Sequence, residues 1–221
     1  MITGWPCSAG GEEYALSFDR RRSRRLLVLP ALFDEGNKLR HFTAEVMRRL
    51  DGAGIDSFLP DLPGTNESLA PLADQSLGGW RLAAAEIAGH FSATHVLTIR
   101  GGAMLAPESL PGWRYAPAAG SSLLRSLLRA RILASREAGR DEDREDLMTR
   151  GREAGLELAG YRLGAQLLAG LADAPLPDPG ALTEIGQSDL GGPGLWLRAE
   201  PDHDPGQADA LAAIVAMGLI A

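Results

Sequence analysis

The segment Thr98-Ile99-Arg100-Gly101-Gly102 ends an apolar run, His95-Val96-Leu97-Thr98-Ile99, and opens onto small residues. A strand that runs straight into a small-residue turn is the setting in which Gly-x-Ser-x-Gly exposes a nucleophilic hydroxyl. Here Thr98 and Gly102 take the flanking positions and Arg100 takes the serine position. Sliding the register by one puts Ile99 there instead, so neither register supplies Ser, Cys or Asp. A guanidinium stays protonated and has no lone pair with which to attack. Two uses remain for Arg100. It can hold a carboxylate or phosphate bidentately, helped by a helix starting at Gly101. It can instead pair with Asp34, Glu35, Asp61 or Asp202 and plug the corner, since an unpaired buried charge costs several kcal/mol.

The other chemistry-bearing residues are sparser. Asp202-His203-Asp204 sets one imidazole between two carboxylates. Adjacent residues rarely converge on one ion and no distant histidine is matched to them, so no metal is expected. His41 and His90 fall on expected helices and His95 at a strand start, which reads as surface or satisfied imidazole. Asp61 precedes a Pro-Gly turn and Glu67 is an exposed loop charge, both ordinary turn chemistry. Cys7 lies in a flexible-looking N-terminal stretch with no base to activate it, and is read as incidental. The consecutive charges from Arg140 to Asp146 read as a solvated helix start, because metal ligation from one helix face needs i, i+3 or i+4 spacing.

These residues need a frame. Tyr14–Phe18 alternates as a short strand, read as a sheet edge, and the arginines 20, 21, 22, 24 and 25 as a solvated turn keeping that edge soluble. Leu26–Pro30, Ile55–Leu59 and His95–Ile99 read as strands buried on both faces. Residues 37–52 and 76–90 read as amphipathic helices between them. Strands separated by helices of that length imply parallel, right-handed βαβ crossovers, so the fold class is α/β. Residues 121–172 show helices but no strand candidate and read as a helical insertion or lid within a single domain. Gly194–Arg198 reads as the last strand and residues 207–219 as the last helix. Parallel sheets bind ligands at the carboxyl ends of their strands, which selects Ala31–Asn37, Asp61–Ser68, Thr98–Gly102 and Glu200–Pro205.

Composition narrows the classes. The 221 residues are 45% hydrophobic and 23% charged, enough for one domain with a real core. A net charge of -7 argues against bulk attraction to nucleic acid or anionic membrane. One cysteine excludes an internal disulfide framework and a thiolate-built metal cluster. No apolar stretch approaches the roughly 20 residues of a membrane span, and Met1–Pro6 lacks the features of a signal peptide. A cytoplasmic protein is expected.

Pro30-Ala31-Leu32-Phe33-Asp34-Glu35-Gly36-Asn37-Lys38, Leu59-Pro60-Asp61-Leu62-Pro63-Gly64-Thr65-Asn66-Glu67-Ser68, Arg100-Gly101-Gly102-Ala103, Pro117 with Gly120, Leu127–Arg131 and Ala159-Gly160-Tyr161 carry a resemblance. From Leu26 to Trp196 the chain resembles an α/β-hydrolase of the exosortase A system-associated hydrolase 2 subgroup. That subgroup commonly has Arg in place of the serine. The resemblance implies an oxyanion-hole amide near Phe33 or Asp34, and a triad acid at Asp202 or Asp204. In a triad ordered Ser, Asp, His the histidine lies beyond one further strand, yet none follows His203. Two of three triad members are thus absent or displaced. Losing even one leaves only about 10³–10⁴-fold acceleration over water.

The expectation is an α/β-hydrolase-like protein, trimmed at the C-terminus and catalytically impaired. It would bind a small anionic ligand through Arg100, Gly101, Gly102, Phe33 and Asp34, with no cofactor and no metal, in an exopolysaccharide- or exosortase-linked system. The alternative is an active ester or thioester hydrolase using a non-standard nucleophile or a metal-bound water, with Asp202, His203 and Asp204 carrying the chemistry. A third reading is a structural subunit, with a homodimer or a pathway protein as partner.

Overall fold

The apolar runs that alternate with helices do form a sheet, and its order decides which loops meet. The computed structural model describes residues 1–9 and 11–220. Among the described residues the strands are β1 (Ile2–Pro6), β2 (Glu12–Phe18), β3 (Arg25–Leu29), β4 (Asp56–Pro60), β5 (His95–Ile99), β6 (Gly112–Tyr115), β7 (Leu156–Leu158), β8 (Tyr161–Leu163) and β9 (Leu182–Ile185). The α-helices among them are α1 (Asp34–Gly52), α2 (Leu77–His90), α3 (Gly120–Glu137), α4 (Arg144–Ala154), α5 (Ala165–Asp173), α6 (Gln187–Leu190) and α7 (Pro205–Ile220). The main sheet runs β1-β2-β4-β3-β5-β6-β9. Strands β4, β3, β5, β6 and β9 are parallel, while β1 and β2 are antiparallel.

The two faces of β3 explain the layers. Leu26 and Val28 point into a core shared with Phe42, Val46 and Leu50 of α1 and with Leu211 and Val215 of α7. Leu27 and Leu29 point the other way, toward Trp80 and Ile87 of α2 and the leucines of α3 and α5. Strand residues that alternate faces and are apolar at every position are what a doubly covered parallel sheet requires. Segment 120–173 therefore buries Leu123, Leu147 and Leu168 in the same core as the sheet.

Several expectations are corrected. Tyr14–Phe18 lies inside the sheet, because β1 pairs with it and takes the edge. The arginine run leads into central β3. Arg22 and Arg25 both pair with Asp56, which is fully buried and also accepts the Arg20 and Arg22 amides. Cys7 is buried at the end of β1, where its amide donates to the Gly11 carbonyl. The turn after β5 is a 3-10 helix over Arg100–Leu105, not an α-helix. Strand β6 and the β7–β8 hairpin were not foreseen. Gly194–Arg198 contains only a 3-10 turn at Leu195–Leu197, and the last strand is β9.

Candidate functional site

The corner at the end of β5 is built by backbone strain and glycine packing. Arg100 has φ 53°, a left-handed conformation that costs a non-glycine residue about 1–3 kcal/mol. Its carbonyl accepts from the Ala118 amide at 3.2 Å, which ties the corner to the loop after β6. A Cβ on Gly102 would lie 2.6 Å from the Leu29 and Pro30 carbonyl oxygens, and one on Gly101 would meet Leu123 at 2.7 Å and Leu32 at 3.1 Å. Both glycines therefore let the turn press against the end of β3 and against α3.

The Arg100 side chain is engaged on every side. Its Nε donates to Glu35 Oε2 at 3.0 Å and its Nη2 to Glu35 Oε1 at 2.9 Å, a bidentate pair. Nη1 donates to the Ala116 carbonyl at 2.7 Å. The guanidinium carbon sits 4.0 Å from the ring centre of Trp196. Only 15% of the arginine side chain and 17% of the glutamate side chain are exposed. Of the four carboxylates considered from sequence, Glu35 in the first turn of α1 is the partner.

The loop between β3 and α1 approaches from the other side. Phe33 has φ 58° and ψ −133°, again strained, and its ring packs edge-on to Tyr161 and tilted on Trp80. Asp34 pairs with Lys38 at 2.8 Å. Phe33, Asp34, Glu35, Lys38, Arg100, Ser122, Ser126 and Trp196 line a cleft of ≈ 230 Å³. Ser122, Ser126 and Trp196 were missed in the sequence, since their only signal is the docking of α3 and the 195–197 turn onto this corner.

Asp202, His203 and Asp204 do not line that cleft. Asp202 pairs with Arg198, and Asp204 accepts the Gln207 amide in the first turn of α7. His203 stacks on His41 of α1, ring centres 4.6 Å apart, and its Nδ1 is buried without a partner among the described residues. Helix α6, which follows β9, instead presents Gln187 and Asp189. Asp189 accepts the Gly186 amide, and Gln187 is bonded to Tyr115 and Gln207. Burial raises the Tyr115 hydroxyl well above its usual range. Asp61 is buried, accepting from Arg40 at 3.1 Å and Asn66 at 2.7 Å, so it does more than begin a turn. Among the described residues, no group of three or more His, Cys, Asp and Glu side chains is placed to hold a metal ion.

A seven-stranded, mostly parallel sheet with an antiparallel pair at one edge, helices on both faces and a strained strand–turn corner at β5 is an α/β-hydrolase-like fold. Solved structures agree. The chain superposes on α/β-hydrolase domain-containing protein 10 from mouse with a TM-score of 0.55 and 13% identity, covering 100% of this chain and 98% of that one. Against the α/β-hydrolase GrgF from Penicillium sp. sh18 the TM-score is 0.53 at 13% identity, over 80% of this chain and 73% of that one. The chain spans only 60% of the length of a protein from Agrobacterium vitis S4, at 17% identity over 61% of this chain and a TM-score of 0.42, a likeness that adds nothing to the fold assignment. No protein-family model and no curated protein matches the sequence.

Proposed function

We propose that this α/β-hydrolase-like protein does not perform serine hydrolysis and serves as a binding or accessory protein. The observation that carries the reading is the sealed Arg100: a bidentate carboxylate, a backbone carbonyl and an indole face occupy the place of a nucleophile and its substrate. A guanidinium so placed has nothing to attack with. A small anion would have to displace Glu35 from the same donors, so the plug is favoured over an anion anchor. The resemblance of the sequence to the exosortase A-associated hydrolases supports a place in an exopolysaccharide- or exosortase-linked system, in the cytoplasm.

The test is a panel of nitrophenyl esters and thioesters of several chain lengths, with and without divalent metal. The wild-type chain and Arg100→Ser are both expected to stay at background, because among the described residues no histidine lines the cleft beside Arg100. Robust metal-free turnover by Arg100→Ser would show that a general base is in place. Turnover by the wild type would establish the alternative, an active hydrolase with another nucleophile or a metal-bound water.

A further inference from the structure

A second cleft lies where the start of α1 meets the loops after β3 and β4; Leu32 and Phe33 separate it from the Arg100 cleft and line both. It encloses ≈ 110 Å³. Its floor is apolar, formed by Ala31, Leu32, Phe33, Leu39, Leu59 and Leu62, and its rim carries Asn37, Arg40, Asn66 and Tyr161.

The hydrogen bonds on that rim define what it can accept. Asn37 Nδ2 donates to the Tyr161 hydroxyl at 2.9 Å, which leaves the Asn37 carbonyl oxygen and the tyrosine proton for another partner. Asn66 Nδ2 donates to Asp61 at 2.7 Å, leaving its carbonyl oxygen. Among the described residues Arg40 is the one cation on the rim, and its charge is matched by Asp61, 94% buried beside it at 3.1 Å. Asp34 lies close enough to Tyr161 to help raise its hydroxyl pKa, after burial. Asp34 is neutralised by Lys38; a carboxylate entering here would have to displace Asp61 from Arg40, and an ammonium group would face Arg40. Neither charge finds a net counter-field, and desolvating an ionic head without one is costly. An uncharged head with one donor and one acceptor is matched on both counts.

We propose that this cleft binds short, uncharged amphiphiles: a primary amide or alcohol whose tail of about three to five carbons fills the apolar floor. The head exchanges hydrogen bonds with Asn37, Asn66 and Tyr161. Arg100 lines neither wall nor floor, so the site holds whether or not the protein hydrolyses esters. A ligand with so few atoms binds in the millimolar range.

The experiment is an amide-resolved NMR titration of the full chain with butanamide, 1-butanol, butyrate and butylammonium. Butanamide and butanol are expected to give saturable shifts in residues 31–40 and 62–66, with butyrate and butylammonium about tenfold weaker or more. Tyr161→Phe keeps the ring and loses the donor, and Asn37→Ala alters an exposed side chain. Each is expected to weaken butanamide about fivefold, while the exposed Arg129→Gln on α3 leaves it unchanged. The proposal is overturned if none of the four probes saturates. It is equally overturned if butyrate or butylammonium binds as well as the neutral probes, or if both rim variants bind butanamide like the wild type.

Discussion

Arg100 and Glu35 bind each other across the gap between the β5 corner and the first turn of α1. The pair is mostly enclosed, so removing one partner strands the other charge. Breaking a fully buried pair costs about 3–5 kcal/mol, and the residual exposure here brings the expectation to about 2–3 kcal/mol. Glu35→Ala is therefore expected to lower the unfolding free energy by about that amount in urea titrations, with Glu35→Gln less severe because the amide oxygen still accepts. A loss under about 0.5 kcal/mol for Glu35→Ala would mean that the pair is not formed in solution. The identity of Arg100 and its place at the corner were legible in the sequence, because a buried strand running into Gly-Gly marks the corner. The choice of Glu35 among four carboxylates was not, since it depends on where α1 docks.

At the scale of elements, the corner depends on how closely the turn after β5 packs against the end of β3. Gly102→Ala would drive a methyl group into the Leu29 and Pro30 backbone carbonyls, at and just past the end of the central strand β3, which cannot readily move aside. Its expected cost is about 2–4 kcal/mol in the same titration, larger than for an exposed helical glycine such as Gly89, where alanine is neutral or stabilising. Strands β3, β4 and β5 were readable because they are unbroken apolar runs buried on both faces. Strand β6 was not: Gly112-Trp113-Arg114-Tyr115 is four residues long with an arginine at its centre, held by Glu184 and the Pro177 carbonyl. Strand β9 is equally short and carries two polar residues, Thr183 and Glu184. Gly194–Arg198 looked like a strand because Leu195, Trp196 and Leu197 are apolar, yet Trp196 is used to cover Arg100. That misreading moved the expected acid loop to Asp202 and Asp204, past α6, the helix that follows the last strand.

Across the whole molecule, Asp19, Glu142 and Glu13 are carboxylates with shifted titration that shape the acid response. The Arg25 hydrogen bond, aided by the Arg21 amide, holds the Asp19 carboxyl down at about 2. Arg131 and Ser135 hold Glu142 at about 2. Groups depressed in the folded state stabilise it fully above their unfolded values, and that contribution is lost as pH falls from about 4 through 2. Glu13 acts in the opposite sense, since burial raises its carboxyl. Its destabilising charge develops as pH rises above the ordinary glutamate range and is relieved on acidification. Stability is thus expected to peak in mild acid and fall steeply below pH about 4. Asp19 is about one-third exposed, so solvent screening reduces its share to about 1 kcal/mol. Asp19→Asn should lose about that much at pH 6 and little at pH 2, measured by urea unfolding at both. An equal loss at the two pH values would remove Asp19 from the acid transition.

The central claim is that no activated nucleophile stands at the β5 corner. Incubation with a fluorophosphonate, followed by intact-mass spectrometry, reads this directly, because the reagent needs an attacking oxygen in a prepared site. The wild-type chain is expected to keep its unmodified mass at an excess of reagent that fully labels a working serine hydrolase. A stoichiometric adduct mapped to a residue lining the cleft beside Arg100 would contradict the account.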